Sequence, residues 1–229
     1  MLFDTDVAVS GCRDLRGSGV DALRYPEGAV VVLTGVPGAG KSTLLRRLSG
    51  TADDEPLPDR CGGVRIIDAE QVRLRWRRCL GDRSYAWWRP VAHAVHYVRV
   101  WSAMRRGGPV LVPDCGTRPW VRRMLGSLVV RQGRALHLVL LDATPEQALA
   151  GQRARGRSLR TRSFQRHCRR WRALLAMAEH VGDAGRLVPG ARSAVVLDRR
   201  SGERLRTVAF SATPGGQGYG AVAELRSGS

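Results

Sequence analysis

The chain has 229 residues, of which 43% are hydrophobic, and its formal net charge is +18. That length allows one domain or at most two, and the apolar content is sufficient for an ordinary core and argues against global disorder. No apolar run approaches the ~20 residues that cross a bilayer, and the N-terminus lacks the basic and then apolar order of a signal peptide. We therefore predict a cytoplasmic protein with no membrane segment.

The charged residues indicate the class of ligand. Basic residues outnumber acidic residues by 38 to 20, which favours an anionic partner such as a nucleotide, a nucleic acid or another phosphorylated substrate. Lys41 is the only lysine, so 37 of the 38 basic residues are arginine. The five cysteines are dispersed with no C-x-x-C pair, which argues against a disulfide framework or a zinc site.

Short apolar runs bounded by glycine, proline or aspartate predict buried strands. They lie at residues 28–34, 64–68, 109–114, 136–142 and 194–198. Helices are predicted from residue 42, over about 91–105 and from Thr144, where Thr144 is the cap and Pro145 the first helical residue. Alternating strands and helices predict an α/β fold with a parallel sheet and right-handed crossovers.

The ends of the chain are predicted to lie outside this fold. Residues 1–27 show little periodicity and are interpreted as a leader, which leaves residues 28–210 as the single domain. Within the domain, the last strand is expected to continue as a hairpin through residues 204–210. The Gly-rich tail, residues 211–229, is predicted to be disordered.

A nine-residue loop follows the first predicted strand and matches G-x-x-x-x-G-K-[ST] in full. It consists of Gly35, Val36, Pro37, Gly38, Ala39, Gly40, Lys41, Ser42 and Thr43. A strand before the loop and a helix after it are the context that confirms a phosphate-binding loop. Its backbone N–H groups form an anion-binding nest at a helix N-terminus. Lys41 is expected to reach the β- and γ-phosphates of a bound nucleoside triphosphate, and Ser42 is expected to bind Mg²⁺.

Carboxylates at strand ends are candidates for the metal and for acid–base chemistry. Asp114 ends the third predicted strand and is the preferred second carboxylate near the metal, with Asp142 as a competitor. At the end of the second strand, a carboxylate at Asp68 or Glu70 could accept a proton from an attacking hydroxyl, and Arg73 could steady the phosphoryl group. A solvent-exposed Glu70–Arg73 ion pair is the alternative interpretation.

An arginine-rich stretch follows the fourth strand and its helix. Residues 151–172 contain nine arginines and no acid, and an amphipathic helix is predicted from Phe164 to Leu175. Arg153, Arg155 and Arg157 are interpreted as a lid over the triphosphate. The role of the aromatic and arginine residues of 85–90 stays open, since they could stack on bases or cover the sheet. His93 and His96, one helical turn apart, are assigned to surface or core roles.

Together these motifs resemble the polynucleotide-kinase-like and zeta-toxin-like P-loop kinases, within the AAA-type ATP-binding proteins. The resemblance covers about residues 28–200 and implies a three-layer fold, with helices on both faces of a five-stranded parallel sheet in the order 2-3-1-4-5. It implies ATP as phosphoryl donor and Mg²⁺ as cofactor, the latter bound by Ser42 and Asp114. Glu70 then takes the position of the family's catalytic base, with Asp68 as its rival, and Arg153–Arg157 fall in the lid.

The sequence therefore predicts a kinase that transfers the γ-phosphate of ATP to a hydroxyl-bearing acceptor. The acceptor class stays open among polynucleotide, nucleoside and small molecule, as does the oligomeric state. A regulatory GTPase is excluded because its N-K-x-D motif needs a second lysine. An ATP-gated nucleic-acid-binding module without transfer chemistry is the alternative, supported by the charge of +18.

Overall fold

Two sheets organise the part of the chain that the computed structural model describes, residues 5–6, 11–53, 55–80, 85–154, 161–212 and 223–227. The strands are β1 (Thr5–Asp6), β2 (Gly11–Asp14), β3 (Ala22–Pro26), β4 (Val30–Thr34), β5 (Arg60–Cys61), β6 (Val64–Ile66), β7 (Val110–Asp114), β8 (Leu136–Leu141), β9 (Ala191–Leu197), β10 (Thr207–Ser211) and β11 (Ala223–Arg226). The α-helices are α1 (Lys41–Ser49), α2 (Ala69–Leu80), α3 (Tyr85–Arg105), α4 (Pro119–Arg131), α5 (Pro145–Arg153), α6 (Thr161–His180) and α7 (Arg199–Arg204).

The larger sheet confirms the predicted fold class and strand order. Its strands run β2-β9-β8-β4-β7-β6-β5, and the five inner strands, β6-β7-β4-β8-β9, are parallel and have the order 2-3-1-4-5. The sheet has seven strands because β2 adds in parallel beside β9 and β5 adds antiparallel beside β6. All residues of β4 and β8 are buried, as expected for central strands that are covered on both faces.

The smaller sheet corrects the prediction for the N-terminal segment. Its order is β1-β3-β10-β11, and β3 pairs in parallel with β10 from Ala22 opposite Thr207 to Pro26 opposite Ser211. Three strands of residues 1–27 thus belong to the sheets, β1 and β3 to the smaller one and β2 to the larger one, so that this segment is not a separate leader. The alternating pattern that would have predicted strand β3 is very short. Only Leu23 and Tyr25 are buried there, and two alternating apolar residues are too few to predict a strand.

The C-terminal segment also differs from its prediction. Asp198 caps α7 by accepting a hydrogen bond from the Ser201 backbone N–H at 2.7 Å, so a helix interrupts the predicted hairpin and sends β10 into the smaller sheet. Ala223–Arg226, predicted to be disordered, is strand β11 and pairs antiparallel with β10. Ala223 and Leu225 are both buried there, which stabilises the pairing. The rest of the glycine-rich run, residues 213–222, lies outside the described residues.

Helix α3 begins earlier than predicted, at Tyr85, and continues through Pro90. Pro90 removes one hydrogen bond from the helix, and packing of Trp88 against Val72 of α2 secures the turn that carries it. The neighbouring Trp87 is 83% exposed, so the aromatic segment divides between packing and solvent. None of the helices in the described ranges is long and apolar enough to span a membrane.

Candidate active site

The glycine-rich loop lies between Thr34, which ends β4, and Lys41, which begins α1. Gly40 caps α1 in a left-handed conformation, with φ of 98°, and no side chain caps the helix there. The first N–H groups of α1 are thereby directed toward a site for an anion. The Lys41 ammonium donates hydrogen bonds to the carbonyl oxygens of Gly35 at 2.6 Å and Val36 at 3.1 Å, so it lies folded over the loop.

Helix α5 holds the loop by close backbone contact. Gly38 has a φ of 95°, and a Cβ there would overlap the Ala148 carbonyl group. The contact is mutual, because a Cβ on Gly151 of α5 would overlap the Gly38 carbonyl oxygen. The buried Gln152 adds a hydrogen bond from its Nε2 to the Pro37 carbonyl oxygen at 2.9 Å. The loop conformation therefore depends on the helix that leads to the predicted lid.

Replacement of Gly151 by alanine tests this contact. In an ordinary helix interior the change stabilises by about 1 kcal/mol, whereas here the new methyl group has no room and overpacking costs ~1–3 kcal/mol. We expect a lower melting temperature and an affinity for ATP–Mg²⁺ reduced about tenfold. Gly28→Ala is the matched control, because no atom lies within 4 Å of a Cβ at that position. Unchanged stability and affinity of Gly151→Ala would contradict the close contact.

The structure separates the two strand-end aspartates that the sequence proposed for the metal. Asp114 lies beside Thr34 in the sheet and lines the same cleft as Lys41 and Ser42. Asp142 instead forms an ion pair with Arg16 at 3.2 Å and lines a different hollow. Carboxylate and hydroxyl oxygens are the ligands that Mg²⁺ takes beside water and phosphate, so Ser42 and Asp114 fit a magnesium site.

Asp68 is a buried carboxylate at the start of α2. Its Oδ1 accepts a hydrogen bond from the Glu70 N–H at 3.0 Å, and its own N–H donates to the Gln71 side-chain oxygen at 3.1 Å. Burial raises the pKa of Asp68, and the positive charges of Lys41 and Arg46 oppose that shift. Asp68 lines the cleft together with Lys41 and Asp114.

Glu70 lies one step further along α2 and is engaged by arginines. Its carboxylate accepts a hydrogen bond from the Arg73 guanidinium at 2.6 Å, and the Arg46 guanidinium is 3.8 Å away. Arg73 lines the cleft, whereas Glu70 is absent from the described residues that line it. The predicted ion pair between Glu70 and Arg73 therefore exists, and its arginine is the member that lines the cleft.

The cleft has a volume of about 400 Å³ and a second wall that the sequence did not predict. This wall is formed by residues of α3, α6 and the segment after β7: His93, His96, Tyr97, Cys115, Arg118 and His167. Burial lowers the pKa of each of the three imidazoles, most strongly that of His96, to about 4. The Thr117 hydroxyl lies 2.6 Å from His167 Nδ1 and joins the segment to α6. The spacing of His93 and His96 was the only feature of the sequence that pointed to this wall. The sequence could not show which face of α3 meets the cleft.

The predicted lid is described only in part. Arg153 is the last residue of α5 and is exposed, while Arg155 and Arg157 lie outside the described residues. The amphipathic helix after them is confirmed as α6, whose residues Phe164, Cys168 and Trp171 are buried. Arg166, Arg169 and Arg170 are exposed on that helix. A lid role for the three earlier arginines stays a prediction.

The sheet order, the glycine-rich loop and the carboxylates at the adjoining strand ends define a P-loop kinase-like domain. The chain belongs to the AAA-domain family, whose model matches residues 30–181, more than half of the sequence. The predicted resemblance to P-loop kinases is thereby confirmed at the level of the family. No curated protein matches the chain in sequence.

Three solved structures are similar to this chain, and the first of them shows the same fold. A protein from Chloroflexus aurantiacus assigned as a kinase is 14% identical, with a TM-score of 0.50, and the match covers 75% of this chain and 88% of that chain. The tunicamycin resistance protein of Deinococcus radiodurans is 19% identical, with a TM-score of 0.44 and coverage of 66% and 82%. A gluconokinase from Sinorhizobium meliloti is 15% identical, with a TM-score of 0.42 and coverage of 76% and 84%. At such identities the similarity concerns the fold alone.

Proposed function

We propose that this protein is an ATP-dependent phosphotransferase that moves the γ-phosphate of ATP to a hydroxyl of a second substrate. The observation that carries the proposal is the composition of one cleft. Lys41 and Ser42 of the glycine-rich loop line it together with the carboxylates of Asp68 and Asp114. A phosphate-binding loop, two oxygen ligands for Mg²⁺ and a further carboxylate are the groups that phosphoryl transfer requires.

The donor half of the site follows from the loop. The N–H groups at the start of α1 would hold the phosphates, and Lys41 would exchange its carbonyl partners for the β- and γ-phosphate oxygens. Ser42 and Asp114 would hold Mg²⁺, which would neutralise part of the phosphate charge. A hollow of about 400 Å³ adjoins the loop at Val36 and extends to Trp171 and Arg199. We assign this hollow to the nucleoside of ATP.

The acceptor half needs a base, and the geometry favours Asp68 over Glu70. During transfer the acceptor oxygen forms a bond to the γ-phosphorus, the bond from that phosphorus to the ADP oxygen breaks, and the hydroxyl proton must leave. Asp68 lines the cleft, and its raised pKa brings it closer to the operating pH of a general base. Glu70 would position Arg73 through their 2.6 Å ion pair. This assignment reverses the order that the family spacing suggested.

A screen with γ-labelled ATP tests the proposed function. Purified protein is incubated with labelled ATP, Mg²⁺ and hydroxyl-bearing acceptors of several classes, and transfer of label to the acceptor is measured. Lys41→Ala serves as the control for a contaminating kinase. Label transferred by the wild-type protein and not by the variant supports the proposal. Release of inorganic phosphate alone, with no labelled acceptor in any class, would contradict it.

An ATP-gated nucleic-acid-binding module is the second candidate, and exposed aromatic residues favour it. Trp87 is 83% exposed, Trp120 is 52% exposed, and the Arg105 guanidinium lies 4.8 Å from the ring centroid of the 40% exposed Trp101. Exposed tryptophans beside arginines can stack on bases and contact phosphates. Filter binding of single-stranded RNA and DNA at increasing salt, with and without ATP, measures this activity directly.

A further inference from the structure

The second wall of the cleft contains a buried nitrogen without a hydrogen-bond partner. His96 is 2% exposed and lines the cleft, and no described residue forms a hydrogen bond with its buried Nδ1. Buried polar groups in folded proteins are nearly always paired. Tyr25 and His137 have similar unpaired atoms, but neither residue lines the cleft. The position of His96 therefore indicates a partner that is bound in the cleft.

The chemistry of His96 limits what that partner is. Burial is the main reason that the pKa of the imidazole is lowered to about 4; Asp114 acts in the opposite direction, and His93 and Arg99 add to the lowering. His96 is accordingly neutral at physiological pH. A neutral imidazole has one nitrogen that donates a hydrogen bond and one that accepts. A hydroxyl group, which also does both, is a matching partner.

Arg118 supplies a positive charge on the same wall. It lines the cleft directly before α4 and forms no ion pair with any carboxylate in the described part of the chain. Arg73 differs, because Glu70 already compensates its charge at 2.6 Å. The positive charge of Arg118 also lowers the pKa of His93 and His167. Arg118 forms a side-chain hydrogen bond with Tyr97 of the same wall, but no carboxylate in the described part of the chain compensates its charge. The wall therefore presents an uncompensated guanidinium charge among neutral imidazoles.

We propose that this wall binds a small acceptor that carries both a hydroxyl group and an anionic group, either a carboxylate or a phosphate. The anionic group pairs with the Arg118 guanidinium, and a hydroxyl forms a hydrogen bond with His96. The volume of about 400 Å³ lies toward the lower end of small-molecule sites, roughly 300–1,000 Å³, and the γ-phosphate shares it. A small acceptor fits that space better than a polymer does. The inference rests on the proposed phosphotransferase function and names its substrate class.

Matched acceptors test the substrate class. Labelled ATP is supplied with D-gluconate against D-glucose, with glycerol 3-phosphate against glycerol, and with a 5′-hydroxyl oligothymidylate. The first two pairs compare an anionic with a neutral acceptor, and they distinguish a carboxylate from a phosphate. We expect kcat/KM for the anionic member of at least one pair to exceed that of its neutral partner by about tenfold or more.

Variants connect this preference to the two residues. His96→Leu removes the nitrogen and should raise the acceptor KM about tenfold, with the KM for ATP unchanged and the melting temperature not lowered. His96→Asn places an amide near the position of Nδ1 and should restore the acceptor KM to within about threefold. Arg118→Met should remove the preference for the anionic acceptor. Arg123→Met, which changes an exposed arginine on α4, is its control and should retain the preference.

The outcomes separate this inference from the function on which it rests. Equal or better transfer to the neutral acceptors, transfer to the oligothymidylate alone, or a full anionic preference in Arg118→Met would overturn the acceptor class and leave the phosphotransferase intact. An acceptor KM unaffected by His96→Leu would overturn the role of His96. Transfer to none of the five acceptors would overturn the acceptor class. The phosphotransferase function itself is contradicted only when the wider acceptor screen also yields no labelled product while ATP still raises the melting temperature.

Discussion

Replacing Lys41 with alanine should abolish the increase in melting temperature that ATP and Mg²⁺ give the wild-type protein. A ligand that binds only the folded state stabilises it by about 2.7 kcal/mol at one hundred times its Kd. Lys41 is the single lysine of the chain, and its ammonium lies over the loop, 2.6 Å from the Gly35 carbonyl oxygen. Without it, the loop has no ammonium group for the β- and γ-phosphates. Differential scanning fluorimetry with ATP–Mg²⁺ measures the effect.

A chemical experiment on the wild-type protein provides an independent control. Because no other lysine is present, the only amines that acetic anhydride can acetylate are the Lys41 side chain and the terminal amine. ATP should protect Lys41 from acetylation, and mass spectrometry of the tryptic peptides measures that protection. The melting temperature of Lys41→Ala without nucleotide shows whether loss of the two carbonyl contacts alone changes stability. Equal nucleotide-induced shifts in wild type and variant would contradict the loop assignment.

The loop could be predicted from the sequence because its determinants are local. Gly35 to Ser42 contain the complete spacing, and the apolar run before them specifies the strand that delivers the loop. The position of Asp114 at a strand end could likewise be predicted from the sequence, because an apolar run ends there. In contrast, the order of the five inner strands came from the family resemblance, since strand pairing is a property of the whole chain.

The edge strands and the second wall of the cleft depend on contacts distant in sequence. β2 gains its stability from pairing with β9, where Gly11 lies opposite Ser193. His96 and Arg118 belong to different elements, and no spacing rule connects them. The sequence placed His93 and His96 on one helical face, but the packing of α3 against the sheet decides that this face meets the cleft. Such residues become candidates only when the three-dimensional arrangement is known.

The order of Asp68 and Glu70 shows how burial can change an assignment based on spacing. Glu70 has the family's distance in sequence to Arg73, and this spacing favoured it as the base. In the structure that spacing produces a 2.6 Å ion pair, which engages the glutamate with its own arginine. Asp68 is 9% exposed and lines the cleft, so it has both the position and the environment of a base.

The carboxylate pair therefore gives a prediction with matched variants. Asp68→Asn keeps the shape of the side chain, and its oxygen can still accept the Glu70 N–H, but the charge that takes the acceptor's proton is lost. A general base contributes about 10²–10⁴-fold, so we expect transfer to fall at least about a hundredfold with ATP affinity nearly unchanged. Steady-state kinetics with labelled ATP and the acceptor found by the screen measure the change.

Glu70→Gln is the matched control, because it removes the charge of the other carboxylate, two residues from Asp68, and leaves Asp68 in the cleft. The effect of this substitution should be milder, since the neutral amide can still accept a hydrogen bond from Arg73. Its main effect should be a higher acceptor KM, because that arginine is positioned less firmly.

The pH profile of kcat/KM separates the roles of the two carboxylates further. The base acts only when it is deprotonated, so kcat/KM should fall on the acid side at a pH above the ordinary carboxylate range, because burial raises the pKa of Asp68. That acid limb should persist in Glu70→Gln and disappear in Asp68→Asn. A larger loss in Glu70→Gln than in Asp68→Asn would return the base to Glu70, and full transfer in both variants would show that neither carboxylate takes the proton.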